Sequence, residues 1–404
     1  MSREKRGLEK KDIGFLMGLM VICGVCVLYY FAHEMSQYST TLYALSYRYG
    51  FLSRGLIGTI WQWLDQVLPF DLMNYYSIYN TNLLLTAILL LFFFCFYAIC
   101  LWYVPKEQKR NAKYLILFFS VFSFPMFVTR QNMGRIDIFL IMITFLCLAL
   151  LLWGKAEWLI IPLCALAMLI HQGFVFTNIN IILVLLLYKA CIGESKKKYL
   201  AIFAITFVAV SVLFLYFEFY SHNLGRDVYE EVAAEARDLS PNGEYYEMLL
   251  KHELLGEDVY EDEAFWHLQN RVELPIFIVL FLPYVILALR FFQTVWKSIT
   301  KQQKLLYLLL FAGAGTLLPE WILKVDFGRY VYATAFYYIA LILVLLCMED
   351  QPISQAVTRL RNDLAGRSRF AILLIAYPLL FMPLYDTEIS KLTYQIMRFI
   401  GFRE

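Results

Sequence analysis

The chain has 404 residues, of which 61% are hydrophobic, 18% aromatic and 17% charged, with a formal net charge of +2. Apolar runs of about 18 or more residues recur along it, which excludes a soluble domain and predicts an all-α, polytopic transmembrane helical protein. A closed transmembrane barrel would show short alternating segments, and the sequence has none. The small net charge gives no reason to expect a nucleic-acid partner. We predict a single multispan membrane domain, 1–404, with about 11 spans.

The predicted spans follow the chain from a cytoplasmic N-terminus. Five basic residues precede the first apolar run, 13–30, and the positive-inside bias places them in the cytoplasm. That run is too long for the apolar core of a cleavable signal and lacks a small-residue cleavage site. The remaining spans are predicted at 82–104, 114–128, 138–153, two within 157–188, 199–217, 275–292, 304–322, 330–348 and 370–385. The C-terminal stretch 386–404 then lies outside.

The apolar region 157–188 decides the orientation of everything after it. It is interrupted by His171, Gln172 and Gly173, so it forms either one long helix or two short ones. Two spans place the lysines at 196–198 in the cytoplasm and the hydrophilic insert 218–274 outside, whereas one span reverses both. The positive-inside bias favours two spans.

Two extracytoplasmic features are predicted in addition to the spans. The insert 218–274 is strongly acidic, and its aromatic, Leu and Val content predicts a small helical cap rather than a disordered tail. In 53–68, apolar residues recur at helical spacing, which predicts an amphipathic helix lying in the outer interface. Ser53 is its expected N-cap, and Arg54 with Gly55 in the first turn would suit an anion at the helix N-terminus.

The stretch 129–137 carries charges where an apolar region would be expected. Residues 114–153 are too long for one span, so the chain turns within them, and only 132–134 has turn chemistry. Arg130, Arg135 and Asp137 are therefore expected at a membrane surface, where ionisable groups usually serve a substrate or one another. A solvated hairpin loop is the alternative.

The polar residues predicted at this outer side include the three just named and several more. The basic residues among them run against the positive-inside bias. An anionic substrate at the outer leaflet would explain them. The full set of polar residues is Arg48, Arg54, Arg130, Arg135, Asp137, His171, Glu320, Asp326 and Arg329.

For three residues, His171, Arg329 and Tyr330, a structural role is an alternative to the functional one. His171 suits a general base or a hydrogen bond to substrate, or it is a satisfied structural residue. Arg329 could simply pair with Asp326 or Glu320, and Tyr330 could stack on a sugar ring or pack in the core. No His, Cys or carboxylate cluster shows metal-ligand spacing, so no metal is expected.

Three stretches of the sequence resemble one family. They are 129–135 (TRQNMGR), 167–173 (AMLIHQG) and 327–330 (FGRY). They are similar, in order and spacing over about 75–348, to the EpsG/Wzy-like bacterial polysaccharide polymerases, within the GT-C type of membrane glycosyltransferase. The region 47–60 is not part of that pattern, and the acidic insert is larger than the family leads us to expect.

The resemblance implies an enzyme of exopolysaccharide, capsule or O-antigen assembly in the bacterial plasma membrane. Such enzymes take a polyprenyl-diphosphate-linked saccharide at the outer face and transfer its glycan to a hydroxyl of another saccharide, without metal or other cofactor and with inversion. A chain-length regulator or another assembly protein would be a partner. Arginines would stabilise the leaving diphosphate, and a base would accept the hydroxyl proton. The predicted catalytic residues are His171 and Asp137, and the predicted substrate-binding residues are Arg54, Arg130, Gln131, Arg135, Arg329 and Tyr330.

Other classes of protein fit part of this pattern. A lipid-linked saccharide flippase or other transporter would also place arginines near a diphosphate, but it should show pseudo-repeated halves and broken helices. A multispan acyltransferase modifying surface polysaccharide could use one histidine, but an acid partner should accompany it. A membrane scaffold would leave the outer arginines unexplained. Within the family, polymerase and single-sugar transferase both remain open.

Overall fold

A computed structural model describes residues 7–30, 34–123, 127, 133–193, 195–257, 274–319 and 327–365. Every regular element in these ranges is helical. The α-helices are α1 (Lys10–Tyr30), α2 (Gln37–Ala44), α3 (Gly55–Val67), α4 (Tyr75–Tyr103), α5 (Lys109–Ser123), α6 (Asp137–Trp153), α7 (Ile160–Ile170), α8 (Phe174–Thr177), α9 (Ile179–Ile192), α10 (Lys196–Phe219), α11 (Arg226–Asp238), α12 (Glu247–Leu250), α13 (Leu274–Ser298), α14 (Lys304–Ala312), α15 (Phe327–Cys347) and α16 (Gln351–Ala365).

Three of the described helices are long and apolar enough to cross a membrane. They are Tyr75–Tyr103, Lys196–Phe219 and the Arg329–Cys347 part of α15. Shorter apolar helical stretches accompany them at Asp137–Trp153, Glu157–Ile170, Ile179–Ile192 and Lys304–Leu317. The all-helical class is therefore confirmed for the described residues, and these long apolar helices support a membrane protein. The count of about 11 spans stays a prediction, and the span predicted at 370–385 lies outside the described residues.

An aromatic core joins α4, α5, α6 and α15. The ring of Phe145 lies 4.8 Å from Phe93 and 4.6 Å from Phe96, centroid to centroid, and 5.6 Å from Phe336. Phe119 of α5 completes the set at 5.8 Å from Phe336. Large buried rings of this kind contribute much of a core's packing energy. They fix the relative positions of the helices that begin at Asp137 and near Arg329.

Polar contacts gather at two opposite ends of the bundle. At one, which we call the basic end, Asp12 at the start of α1 accepts from Lys109 Nζ at 2.5 Å and pairs with Lys113 Nζ at 2.7 Å. Burial alone would raise the pKa of Asp12, but the two lysines outweigh it and lower that pKa to about 2. At the same end, Glu157 accepts from Lys198 Nζ at 2.7 Å. Lys109, Lys113 and Lys198 thus lie at one end of the bundle, and the membrane topology predicted from such basic residues stays a prediction.

The chain reverses direction at the interruption predicted around His171. Helix α7 ends at Ile170, and α9 returns to the basic end after the single turn of α8. Lys198 Nζ reaches Glu157 and Lys189 Nζ reaches the Leu151 carbonyl at 2.5 Å, so 157 and 189–198 lie at one end of the bundle. The region 157–188 is therefore two helical segments rather than one.

One sequence-based boundary is wrong. Arg54, not Ser53, is the N-cap of α3, and no side-chain capping bond is present there. The predicted span 304–322 leaves α-helical geometry at Ala312 and continues as a 3₁₀ segment, Gly313–Leu317. The reason is a close tertiary contact: Tyr337 donates to the Leu310 carbonyl at 2.6 Å, and its hydroxyl lies 2.1 Å from where a Cβ on Gly313 would sit.

The described part of the acidic insert, 218–257, folds as helices against α2. Helix α11 buries an apolar face with Tyr229, Val232, Ala233 and Ala236. The Tyr246 N–H donates to Thr41 Oγ1 of α2 at 3.0 Å. Residues 251–255 form a π-helix whose Leu254 carbonyl accepts the Leu224 N–H at 2.8 Å. This part of the insert is thus a packed cap on the end opposite the basic end.

Candidate functional site

The described end of the turn between α5 and α6, residues 133–136, is packed into the protein. Gly134 has φ +84°, and a Cβ on it would lie 3.1 Å from Ser39 Cβ and 3.3 Å from the Asn82 side chain. Met133 and Ile136 on either side are buried. The described part of this turn, 133–136, therefore does not fit the alternative of a solvated hairpin loop. Arg130 and Gln131 lie outside the described residues.

Asp137 and Arg329 form an ion pair between the starts of two helices. Arg329 NH2 lies 2.8 Å from Asp137 Oδ1, and both side chains are about one-fifth exposed. The helix dipole favours Asp137 in the first turn of α6 but disfavours Arg329 in the first turn of α15. Arg329 therefore requires an anion nearby. The expected alternatives, Asp326 and Glu320, lie outside the described residues.

His171 lies at the end of α7, close enough to Asp137 for the two side chains to interact electrostatically. It is 7% exposed, and its Nδ1 accepts the Gly173 N–H at 3.3 Å. Charge interactions reach Asp137 from Arg329, from His171 when it is protonated, and from Arg135. Arg329 contacts this carboxylate directly, and Arg135 and His171 interact with it electrostatically.

Arg54 lies in a second group of charged residues. Arg135 connects this group to the ion pair of Asp137 and Arg329. Arg54 NH1 donates to the Tyr38 hydroxyl at 3.2 Å, and the Arg135 guanidinium lies over the Tyr38 ring, 4.9 Å from its centroid. Arg54 Nε lies 3.3 Å from Glu253 Oε1, and the Glu253 side chain is fully buried. Arg54 itself has φ +64°, a conformation that costs a non-glycine residue about 1 kcal/mol or more.

The predicted anion site at the start of α3 is not open. A Cβ on Gly55 would lie 2.8 Å from the Tyr47 ring, so the glycine permits packing against protein rather than the approach of an anion. The Arg54 side chain is the charged group that this turn presents instead. Tyr330 is buried in the hydrophobic core, and its stacking on a sugar stays a prediction.

Sequence reasoning missed three residues at this site. Tyr38 and Glu253 lie in segments with no motif of their own, and Glu253 is one of many acidic residues in the insert. Gln172 is buried, and its Oε1 has no hydrogen-bond partner among the described residues. Its place beside His171 was the one available signal.

The described residues contain no group of three or more His, Cys, Asp or Glu that could hold a metal ion. No disulfide joins the cysteines whose side chains are described. The arrangement offers guanidinium groups, two ion-paired carboxylates and an imidazole at the end opposite the basic end. We call this the site end, and it comprises Tyr38, Arg54, Arg135, Asp137, His171, Gln172, Glu253 and Arg329. No protein-family model, curated protein or solved structure matches this chain.

Proposed function

We propose that the protein is a membrane glycosyltransferase that moves a glycan from a polyprenyl-diphosphate-linked donor to a saccharide hydroxyl. The observation that carries the proposal is the meeting of Arg54, Arg135, Asp137, His171 and Arg329 at the site end. Ionisable groups are expensive in the apolar ends of such helices, so a set gathered from distant stretches favours a shared anionic substrate.

The proposed orientation places the basic end in the cytoplasm and the site end outside the plasma membrane, with about 11 spans. The lysines at the basic end support this through the positive-inside bias. Helix α3 also supports it, because Ile60, Trp63 and Val67 are exposed on one side while Ile57 and Gly58 are buried on another. An exposed apolar face of this kind suits a helix that lies in the interface between lipid and water, here on the outer side of the plasma membrane.

Helix lengths then set the depth of the site. At a rise of about 1.5 Å per residue, the 17 residues of α6 span about 25 Å and the 14 residues of α9 span about 21 Å. The hydrocarbon core is about 30 Å thick, whereas the 29 residues of α4 span about 43 Å. In the proposed orientation, Asp137 and His171 thus lie recessed below the outer headgroups. A lipid-linked donor would enter this recess with its diphosphate near the arginines.

The proposed reaction is a displacement at the anomeric carbon of the donor. The acceptor hydroxyl oxygen forms a bond to that carbon while the bond from the carbon to the diphosphate oxygen breaks. The hydroxyl proton goes to a base, and the bonding electrons leave with the lipid diphosphate. Arginines stabilise the negative charge that grows on the leaving group.

The hydrogen bond at His171 favours one assignment of the catalytic roles to His171 and Asp137. Because Nδ1 accepts from the Gly173 N–H, the neutral imidazole carries its proton on Nε2 and donates there. Asp137 is therefore the proposed base, and His171 the proposed donor or cation beside it. Gln172 Oε1 offers an acceptor for a saccharide hydroxyl.

A lipid-linked saccharide flippase is the second candidate, and broken helices favour it. The breaks at 171–178 and 313–317 face each other, and the Asn180 side chain hydrogen-bonds to Thr316 Oγ1 between them. Discontinuous helices of this kind bind substrates in many transporters. A flippase would move the lipid-linked saccharide without changing it, so analysis of the products separates the two candidates.

The test of the enzyme proposal uses Arg329→Lys, Asp137→Asn, and Arg329→Gln combined with Asp137→Asn, assayed on one lipid-linked substrate. Lysine keeps the charge but loses the planar fork that gives bidentate bonds to a diphosphate. We expect Arg329→Lys to fold and to turn over about tenfold more slowly, since each 1.4 kcal/mol lost is one decade. Arg130→Lys is predicted to behave likewise.

The matched control is Arg48→Lys, because Arg48 lies at the same end but pairs with Glu231 and Glu235 on an exposed surface. It should retain normal turnover. If Arg329 and Asp137 serve only each other, neutralising both together should restore turnover. Restored turnover in that double variant, or normal turnover in Arg329→Lys, would reject the proposed role of the pair.

A further inference from the structure

Glu253 is a buried carboxylate with few stabilising polar contacts among the described residues. Its side chain is fully buried, and its one described ion pair is with Arg54 Nε at 3.3 Å. Neither of its oxygens accepts a hydrogen bond from a described residue. A buried charge normally needs several hydrogen bonds to offset its lost hydration. Glu253 therefore sits beside Arg54 at a cost in free energy.

The buried carboxylates at the basic end show what a permanent structural contact looks like in this protein. Glu157 accepts from Lys198 Nζ at 2.7 Å and from the Tyr199 hydroxyl at 2.8 Å. Asp350 accepts from the Tyr188 hydroxyl at 2.6 Å and from the Ile353 N–H at 2.9 Å. The contrast with Glu253 indicates a contact that can be exchanged.

The surrounding backbone supports an exchangeable contact. Glu253 lies in a π-helix, Lys251–Leu255, a rare geometry that is frequent at functional sites. Arg54 on the other side holds a left-handed conformation. The strained backbone of Arg54 and the rare geometry around Glu253 are consistent with a contact kept for a purpose other than stability.

We infer that Glu253 competes with the donor diphosphate for Arg54, so that the acidic cap guards one of the substrate-binding arginines. The inference rests on the proposed function. A diphosphate carries more charge than one carboxylate and offers several acceptor oxygens to the Arg54 fork, so it is the stronger partner. Tyr38 and Arg135 lie within the same group and would remain in place when Glu253 leaves.

The cap is attached beside this contact by other groups, which lets Glu253 move while the cap stays bound. Arg48 pairs with Glu231 and Glu235, and the Gln37 side chain hydrogen-bonds to Glu244. These contacts join the cap to the segment that carries Arg54. Release of Glu253 would therefore be a local rearrangement of 251–255 rather than loss of the whole cap.

The first measurement needs no substrate. Purified full-length protein is treated with phenylglyoxal, and modification of Arg54 is followed by mass spectrometry. Removing the Glu253 charge in Glu253→Gln should raise the rate of Arg54 modification by about threefold or more, because the ion pair that masks the guanidinium is lost. The control is Glu247→Gln, which removes an exposed carboxylate paired with Lys251 in the same cap. It should leave the rate unchanged.

The second measurement is binding of farnesyl diphosphate in detergent. Glu253→Gln should bind about tenfold more tightly than the unmodified protein, and Glu253→Asp, which keeps the charge on a shorter stem, should lie between them. In an Arg54→Gln background, the Glu253→Gln change should have no effect, because the competition has no target. Thermal unfolding of each variant checks that the fold is retained.

The outcomes separate the inference from the proposed function. Diphosphate binding that Glu253→Gln leaves unchanged or weakens, with Arg54 equally reactive, would overturn the competition and leave the glycosyltransferase proposal standing. Faster Arg54 modification with no diphosphate binding by any variant would overturn the proposed substrate, while Glu253 would still be shown to mask Arg54.

Discussion

Gly173 leaves room for the imidazole of His171 that any other side chain would occupy. A Cβ at position 173 would lie 3.0 Å from His171 Nε2 and 3.1 Å from Cε1. Contacts of this kind force one group to shift, and the ring is the part that can rotate. The position of the imidazole relative to Asp137 is therefore set by the absence of a side chain two residues later.

Gly173→Ala is predicted to lower transfer by about tenfold with little change in thermal stability, because it displaces the ring without removing it. Turnover on a lipid-linked substrate and thermal unfolding are the two measurements. Gly18→Ala in α1 is the matched control, since a Cβ there meets nothing within 4 Å. Normal turnover in Gly173→Ala would show that the imidazole position does not matter for transfer.

Charge at the proposed site comes from side chains, and this has a consequence for metal dependence. If arginines neutralise the diphosphate, a divalent ion is not needed to stabilise the leaving group. We predict that transfer persists in excess chelator, measured on the purified protein. Loss of activity that a divalent ion restores would instead indicate a carboxylate site, and Glu34, Asp65 and Asp71 would be the first residues to test.

Helix α3 is the element that brings Arg54 to the site, and its glycines decide how closely it packs. A Cβ on Gly58 would lie 2.0 Å from the Leu45 carbonyl oxygen and 2.7 Å from that of Tyr43. The Thr59 hydroxyl adds a hydrogen bond from the Tyr47 N–H at 2.7 Å. Backbone atoms, which cannot rotate away, thus surround this face of the helix.

Gly58→Ala is predicted to destabilise the protein by about 2 kcal/mol or more. The added methyl group would overlap backbone atoms, which cannot move aside without a large cost in free energy. The thermal midpoint of the purified protein should fall, and Arg54 modification should change because α3 is displaced. Gly18→Ala again provides the comparison, and it should retain or slightly raise stability because alanine favours a helix. A Gly58→Ala protein as stable as the original would contradict the packing described for α3.

On the scale of the whole molecule, the two polar ends are the feature from which an orientation follows. Lys109, Lys113 and Lys198 contact carboxylates at the basic end, while the cap and the arginines lie at the site end. A bundle in a membrane must place one of these ends in the cytoplasm. The positive-inside bias favours the basic end, and this orientation stays a prediction.

Single cysteines at Ser240 and Ser195 test this orientation in intact cells, or in spheroplasts if an outer membrane is present. A cysteine at Ser240 in the cap should react with an impermeant thiol reagent. A cysteine at Ser195, next to the lysines at the start of α10, should react only after the membrane is broken. The opposite labelling pattern would place the arginines on the cytoplasmic side and exclude an outer-leaflet substrate.

The sequence by itself determined the helical membrane class, the reversal at His171 and the turn at Gly134. Each depends on local composition: long apolar runs favour burial of the backbone in helices, and polar or glycine residues interrupt those runs. The sharing of one end by Arg54, Arg135, Asp137, His171 and Arg329 also followed from counting alternating segments. Hydropathy and chain direction are sufficient for that kind of inference.

Only the tertiary structure decided which charged groups pair. Arg329 contacts Asp137, 192 positions away, and Arg54 contacts Glu253 of the cap. The break of α14 at Gly313 likewise depends on Tyr337 of another helix. Pairing of this kind is set by the rotation and axial shift of helices packed side by side. Those quantities arise from the fit of whole helix surfaces, so no local pattern in the sequence carries them.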